Sequence, residues 1–184
     1  MARLLAILVA FAVLFAPAAI DARGFTGQRR ALIGDGATYD GGWVDGKRHG
    51  RGSQTWPNGE RYDGDWRNDR RDGRGAQMFR DGSRYDGEWR ADARTGQGVY
   101  TFGNNDRYEG DFVDGLFSGH GTYLWATGQR YVGEWRDGKA HGQGTMTTIG
   151  RHVFAGQWIA GCFRDGSHVQ AVGASLKECR ARRP

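Results

Sequence analysis

From Tyr39 onward, apolar and polar positions alternate in short stretches, and the stretches recur. In Tyr131-Val-Gly133-Glu-Trp135 an aromatic, a glycine and a second aromatic take alternate places. The same arrangement opens at Tyr39, Tyr62, Tyr85, Tyr108, Tyr131 and Phe154, each 23 residues after the last. Two residues on stand Gly41, Gly64, Gly87, Gly110, Gly133 and Gly156. Two further on stand Trp43, Trp66, Trp89, Phe112, Trp135 and Trp158. Gly-x-Gly pairs follow at Gly50/Gly52, Gly73/Gly75, Gly96/Gly98, Gly119/Gly121 and Gly142/Gly144; in the sixth copy Asp165 stands where the first of them belongs. A fixed period of this size marks a repeat protein.

Alternation places the three residues on one face of a strand, and aromatic residues favour strands. The glycine between the rings lets a ring or a neighbouring backbone lie close. Val44-Asp45-Gly46-Lys47-Arg48 reads as a polar turn, with a second strand beginning at Gly50. Apolar or polar-aromatic pairs such as Gln54/Trp56, Tyr100/Phe102 and Tyr123/Trp125 continue that strand, and Pro57-Asn58-Gly59 or Arg80-Asp81-Gly82 turns into the next copy. The expected architecture is therefore all-β: an elongated, single-layer antiparallel β-meander or solenoid of 23-residue β-hairpin repeats, roughly 50–60 Å long at the usual strand spacing. One hairpin alone is marginal, so stability comes from stacking neighbours.

Tyr-x-Gly-x-Trp-x-x-Gly-x-x-His-Gly-x-Gly, closed by a glycine such as Gly59 or Gly128, resembles the MORN (membrane occupation and recognition nexus) repeat. The resemblance covers about residues 27–161. Asp69 and Asp92 depart from it at the mid-turn glycine, Asn105 departs at the late glycine, and only His49 and His141 keep the histidine column. It implies a non-enzymatic module. Arrays of this family in junctophilins and phosphatidylinositol-phosphate kinases are associated with membranes, and others serve as protein-interaction and dimerisation surfaces.

The ends of the chain differ from the array. Residues 1–22 read as a signal peptide: Arg3 precedes an apolar run from Leu4 to Ala16, and cleavage after Ala18 or after Ala22 fits the small residues there. The alternative is an uncleaved anchor, although the run falls short of the roughly 20 apolar residues of a membrane span. An exported protein, periplasmic or secreted, is expected. Residues 24–38 read as a degenerate half repeat, 39–161 as five full copies and a partial sixth, and 162–184 as a C-terminal cap with a basic tail. Val169, Val172, Leu176 and Cys179 follow helical spacing and predict a short helix over about 168–181. Cys162 and Cys179, the only cysteines, are expected to pair in a disulfide that stiffens that end.

Charge and chemistry narrow the function. Lys and Arg total 26 against 21 Asp and Glu, and the small excess is interleaved with acids, so no nucleic-acid partner is expected. No catalytic constellation outweighs the repeat: Ser118-Gly119 lacks a nucleophile-elbow context, the Gly-x-Gly pairs lack the strand-to-helix setting of a nucleotide loop, and the histidines lack metal-ligand spacing. Neither enzymatic activity nor a cofactor or metal is expected. Two surfaces are candidates. Tyr39, Trp43, Tyr62, Trp66, Tyr85, Trp89, Tyr108, Phe112, Tyr131 and Trp135 form an aromatic face that either packs over glycines as a core or stays open as a groove for a peptide, glycan or lipid. On the opposite face Arg61, Arg84, Arg107 and Arg130 form a column beside Asp40, Asp63, Asp86 and Glu109. That column is either a solvated, self-compensating face or a ladder for phosphate and anionic lipid. A protein partner is the first expectation and an anionic lipid or membrane surface the second. A homodimer through an array end is a further one.

Overall fold

The structure is a computed structural model and describes residues 24–181. The expected signal peptide and the tail residues Arg182 and Arg183 lie outside the described residues. The fold is one open antiparallel sheet of 14 strands in which every strand pairs with its neighbours in sequence. Each of the five full repeats contributes a seven-residue strand and a nine-residue strand, as in β4 (Arg61–Arg67) and β5 (Arg70–Met78). The first strand of the array is β1 (Gly27–Leu32), which pairs along β2 (Thr38–Val44) with Gly27 opposite Trp43.

The two strands of a repeat meet in a two-residue turn: Asp45-Gly46, Asn68-Asp69, Ala91-Asp92, Asp114-Gly115, Asp137-Gly138 and Ala160-Gly161. Both residues of every such turn have positive φ, for example 49° and 68° at Asn68 and Asp69, which is the hairpin turn that matches strand twist. This corrects the turn read as Val44–Arg48. The long strand β3 (Lys47–Thr55) starts at Lys47 rather than Gly50, because the tight turn needs only two residues and Arg48 pairs opposite Trp43.

A bulge accounts for the longer second strand. In the β4–β5 pair Gly64 faces Gly75 and Trp66 faces Arg71, so Asp65 alone lies opposite Asp72, Gly73 and Arg74. The first glycine of each Gly-x-Gly pair sits on this bulge at positive φ, between 54° and 117°. An acid from the short strand closes the bulge. Asp65, Asp111 and Glu134 accept the backbone N–H of Arg74, His120 and Gln143 at 2.9, 2.8 and 2.8 Å.

The core lies on one side of the sheet and consists of the rings. Each tyrosine lies over the second glycine of its Gly-x-Gly pair, where a Cβ would run into the ring. Its hydroxyl donates to the carbonyl three residues on, as Tyr62 does to Asp65 at 3.0 Å. The indoles of Trp66, Trp89, Trp135 and Trp158 each donate to the carbonyl of that glycine in the repeat before, as Trp89 does to Gly75 at 3.0 Å, and Trp43 donates to Arg29 O. Tyrosine and tryptophan meet edge to face within a repeat (Tyr62–Trp66, 5.1 Å) and between repeats (Tyr62–Trp89, 5.5 Å). The ladder thus runs unbroken from Tyr39 to Trp158.

At the far end, β12 (Val153–Ile159) pairs with the short β13 (Cys162–Asp165), and β13 with β14 (His168–Ala171). The helix expected over 168–181 is shorter. Val169 lies in β14, and the only helix described, α1, spans Leu176–Ala181. Gly166 and Gly173, at φ 55° and 74°, bound the extra hairpin strand, so helix can begin only after them. Ser175 caps it: Glu178 N–H donates to Ser175 Oγ at 3.2 Å, and Ser175 N–H donates back to the Glu178 carboxylate at 2.7 Å. Cys179 is buried and bonded to Cys162 (S–S 2.04 Å, Cα–Cα 5.3 Å). No helix of the described residues is long and apolar enough to cross a membrane.

Candidate functional site

The ten rings of the expected aromatic face are core. The five tyrosines are fully buried and the five Trp and Phe residues are between 1% and 5% exposed. They are therefore closed to ligand: of the two alternatives for this stripe, packing over glycines as a core is the one present and the open groove is not. Burial pushes the Tyr39 and Tyr85 hydroxyls up to about 12, and it raises Tyr62, Tyr108 and Tyr131 as well. What stays partly exposed on this side is a second, outer row: Trp56, Phe79, Tyr100, Phe117, Tyr123 and Trp125 pack against the core without being covered by it, and Phe102 meets Tyr100, Phe117 and Tyr123.

The charged face is self-compensating along most of its length. Arg61 meets Asp63 at 2.6 Å, Arg84 meets Asp86 at 2.7 Å, and Arg107 meets Glu109 at 2.7 Å. Each pair joins residues two apart on one strand, so both side chains point the same way. Burial opposes ionisation of the Asp63 carboxyl, but hydrogen bonds from Arg61 and Ser53 outweigh it and hold the group below the usual carboxylate range. At Arg130 the acid is replaced by Val132, and no ion pair is present there among the described residues. The second acid column, Asp65 to Glu134, is engaged in closing bulges.

A cationic row that sequence reasoning missed lies on the ring side. Arg48, Arg71 and Arg94 follow the two-residue turns and lay their guanidinium groups against rings. Arg48 lies 4.2 Å from the Trp66 centroid, Arg71 4.1 Å from Trp89, and Arg94 4.9 Å from Tyr100. Arg48 binds Asp69 of the next repeat at 3.1 Å and Arg71 binds Asp92 at 3.0 Å. Arg94 borders a cavity of about 240 Å³ whose other walls are Tyr100, Phe102, Gly115, Leu116, Phe117 and Gly138. The signal was legible: Asp69 and Asp92 depart from the mid-turn glycine, and each stands 21 residues after an arginine. Among the described residues no group of three or more His, Cys, Asp or Glu side chains is placed to hold a metal ion.

Open-ended stacking of one hairpin unit, with rings closing on glycines, defines a β-repeat protein that presents surface along its length. The MORN repeat profile matches residues 39–61, 62–84, 85–107, 108–130 and 131–148, five consecutive copies. The chain belongs to the MORN repeat family. No curated protein matches it as a relative. Among solved structures it is similar to the SAS-4 (dCPAP) TCP domain of Drosophila melanogaster, solved in complex with a proline-rich motif of Ana2 (dSTIL). The identity is 14% over 86% of this chain and 99% of that one, with a TM-score of 0.33. A likeness of that degree carries no argument about function.

Proposed function

We propose that the protein is an exported, non-enzymatic binding or scaffold module whose repeat surface engages a protein partner. MORN repeats are in general protein- or membrane-binding modules. The pairing of Arg61, Arg84 and Arg107 with Asp63, Asp86 and Glu109 favours a protein over a membrane. An anionic headgroup arriving at that column would have to displace a carboxylate already in contact, in a field where acids match the arginines. The partly exposed outer row of rings supplies instead the kind of aromatic surface that protein interfaces use. Export is supported by the apolar run Leu4–Ala16 and by the Cys162–Cys179 disulfide, a bond that persists in oxidising compartments.

Co-sedimentation with phosphatidylserine vesicles at low and high salt separates the two readings. The protein reading predicts that the chain stays in the supernatant at both. Salt-sensitive pelleting that is lost when Arg61, Arg84, Arg107 and Arg130 are replaced would establish the lipid reading instead. Light scattering tests self-association through an array end: a dimer gives twice the mass of the chain, and the mass of one chain rules it out.

A further inference from the structure

The arginine row on the ring side is internally matched, with one exception. Where the row holds Arg48 or Arg71, the turn residue 21 positions later is Asp69 or Asp92. Where the same column holds Phe25, Phe117 or Ala140, that turn residue is Gly46, Gly138 or Gly161. Aspartate thus accompanies arginine, and glycine accompanies an uncharged side chain. Arg94 breaks the rule, because its turn residue is Gly115.

The hydrogen bonds show what is missing. Arg48 donates Nε to the Asp69 carboxylate, Nη2 to the Asp69 carbonyl and Nη1 to Gln54. Arg71 makes the same three bonds, to the Asp92 carboxylate, the Asp92 carbonyl and Gln77, at 3.0, 3.2 and 3.1 Å. Arg94 keeps only the carbonyl bond, Nη2 to Gly115 O at 2.9 Å. Tyr100 stands where the glutamine would be, and Nε and Nη1 of Arg94 have no side-chain partner among the described residues. Arg94 borders the cavity of about 240 Å³ walled by Tyr100, Phe102, Phe117 and Leu116. Two positions further along, the chain covers its own face: Val172 is buried there, with its carbonyl accepting from Ala140 N–H at 3.2 Å and its N–H donating to Gly161 O at 2.8 Å. Nothing in the chain covers the Arg94 position in this way among the described residues.

We propose that this cavity takes an acidic side chain of a protein partner, with the carboxylate on Nε of Arg94 and an apolar or aromatic neighbour of that residue against Tyr100, Phe102 and Phe117. The partner supplies from outside the carboxylate that Asp69 and Asp92 supply from within. The volume lies below the range of pockets that enclose a whole small molecule, and suits one side chain of a larger partner. Rings and a single guanidinium, with no carboxylate on the walls, select an anion that carries apolar surface. The inference rests on the protein-binding reading and deepens it.

The test uses N-acetyl-phenylalanyl-glutamate amide and its glutamine counterpart as probes, titrated into the mature chain by calorimetry or NMR. Wild type is expected to prefer the glutamate peptide by about tenfold or more. Gly115→Asp restores the missing pair in cis. Its fold is provided for: Asp69 and Asp92 hold the same turn position at φ 68° and 73° against 82° at Gly115, and a Cβ there meets Arg94 Nη2 at an ordinary 3.5 Å. That variant should lose the preference while melting no lower than wild type, and Arg94→Gln should lose it too. Equal binding of the two peptides by wild type, binding of neither at millimolar concentration, or an unchanged preference in Gly115→Asp would each overturn the proposal. A cross-linked partner recovered equally by wild type and Gly115→Asp would also overturn it while leaving the protein-binding reading in place. Absence of any partner would fall on that reading alone, and the peptides would still decide this one.

Discussion

A Cβ at Gly75 would lie inside the Tyr62 ring, and the same holds for every second glycine of the Gly-x-Gly pairs. Gly75→Ala should therefore cost about 1–3 kcal/mol by overpacking, read as a lowered midpoint in denaturant titration. The buried hydroxyls give a second test at this scale. Tyrosine ordinarily titrates near 10, whereas Tyr39 and Tyr85 are held at about 12 and the other core tyrosines are also raised. A folded-state pKa above the unfolded one means stability that is whole below pH ~10 and is lost as pH rises from there toward 12. Absorbance titration should show little tyrosinate near pH 10, then a steep rise coincident with unfolding. Sequence alone made the Tyr, Gly and Trp columns legible because each obeys one steric demand in every copy. Arg48, Arg71 and Arg94 were hidden because each follows a turn by two residues, where a solvated cation is unremarkable. Only their coupling to Asp69 and Asp92 sets two of them apart.

Among the elements, the hairpin was readable and its limits were not. A period-two pattern fixes which face a residue takes, but the two-residue turn and the bulge at Gly73 decide where the long strand begins, and both depend on backbone conformation. The C-terminal helix was overextended for a related reason. Val169 and Val172 fit helical spacing, yet Val169 pairs with β13 and Val172 bonds to Ala140 and Gly161, which leaves only Leu176–Ala181 helical. That short helix depends on its link to the sheet, because six residues are far too few to be stable alone. Reducing Cys162–Cys179, or replacing Cys179 by Ala, should cost about 2–4 kcal/mol. Hydrogen exchange should show the loss confined to β13, β14 and α1, with amides of the central repeats unchanged.

The whole molecule behaves as a line of like units, each touching its neighbours along one sheet. Its core holds that line together, and the ten rings of the candidate aromatic face are inside it. The outer row of rings, the matched charges and Arg94, which lacks the carboxylate that Arg48 and Arg71 have, are the surfaces available to the proposed partner. This distribution favours recognition of another protein over catalysis or attachment to lipid. Cross-linking in intact cells that produce the protein, followed by mass spectrometry, tests that most directly. The account predicts cross-links from this chain to a second protein, placed along the repeats between residues 39 and 161. Recovery of the chain cross-linked only to lipid or only within itself would contradict it.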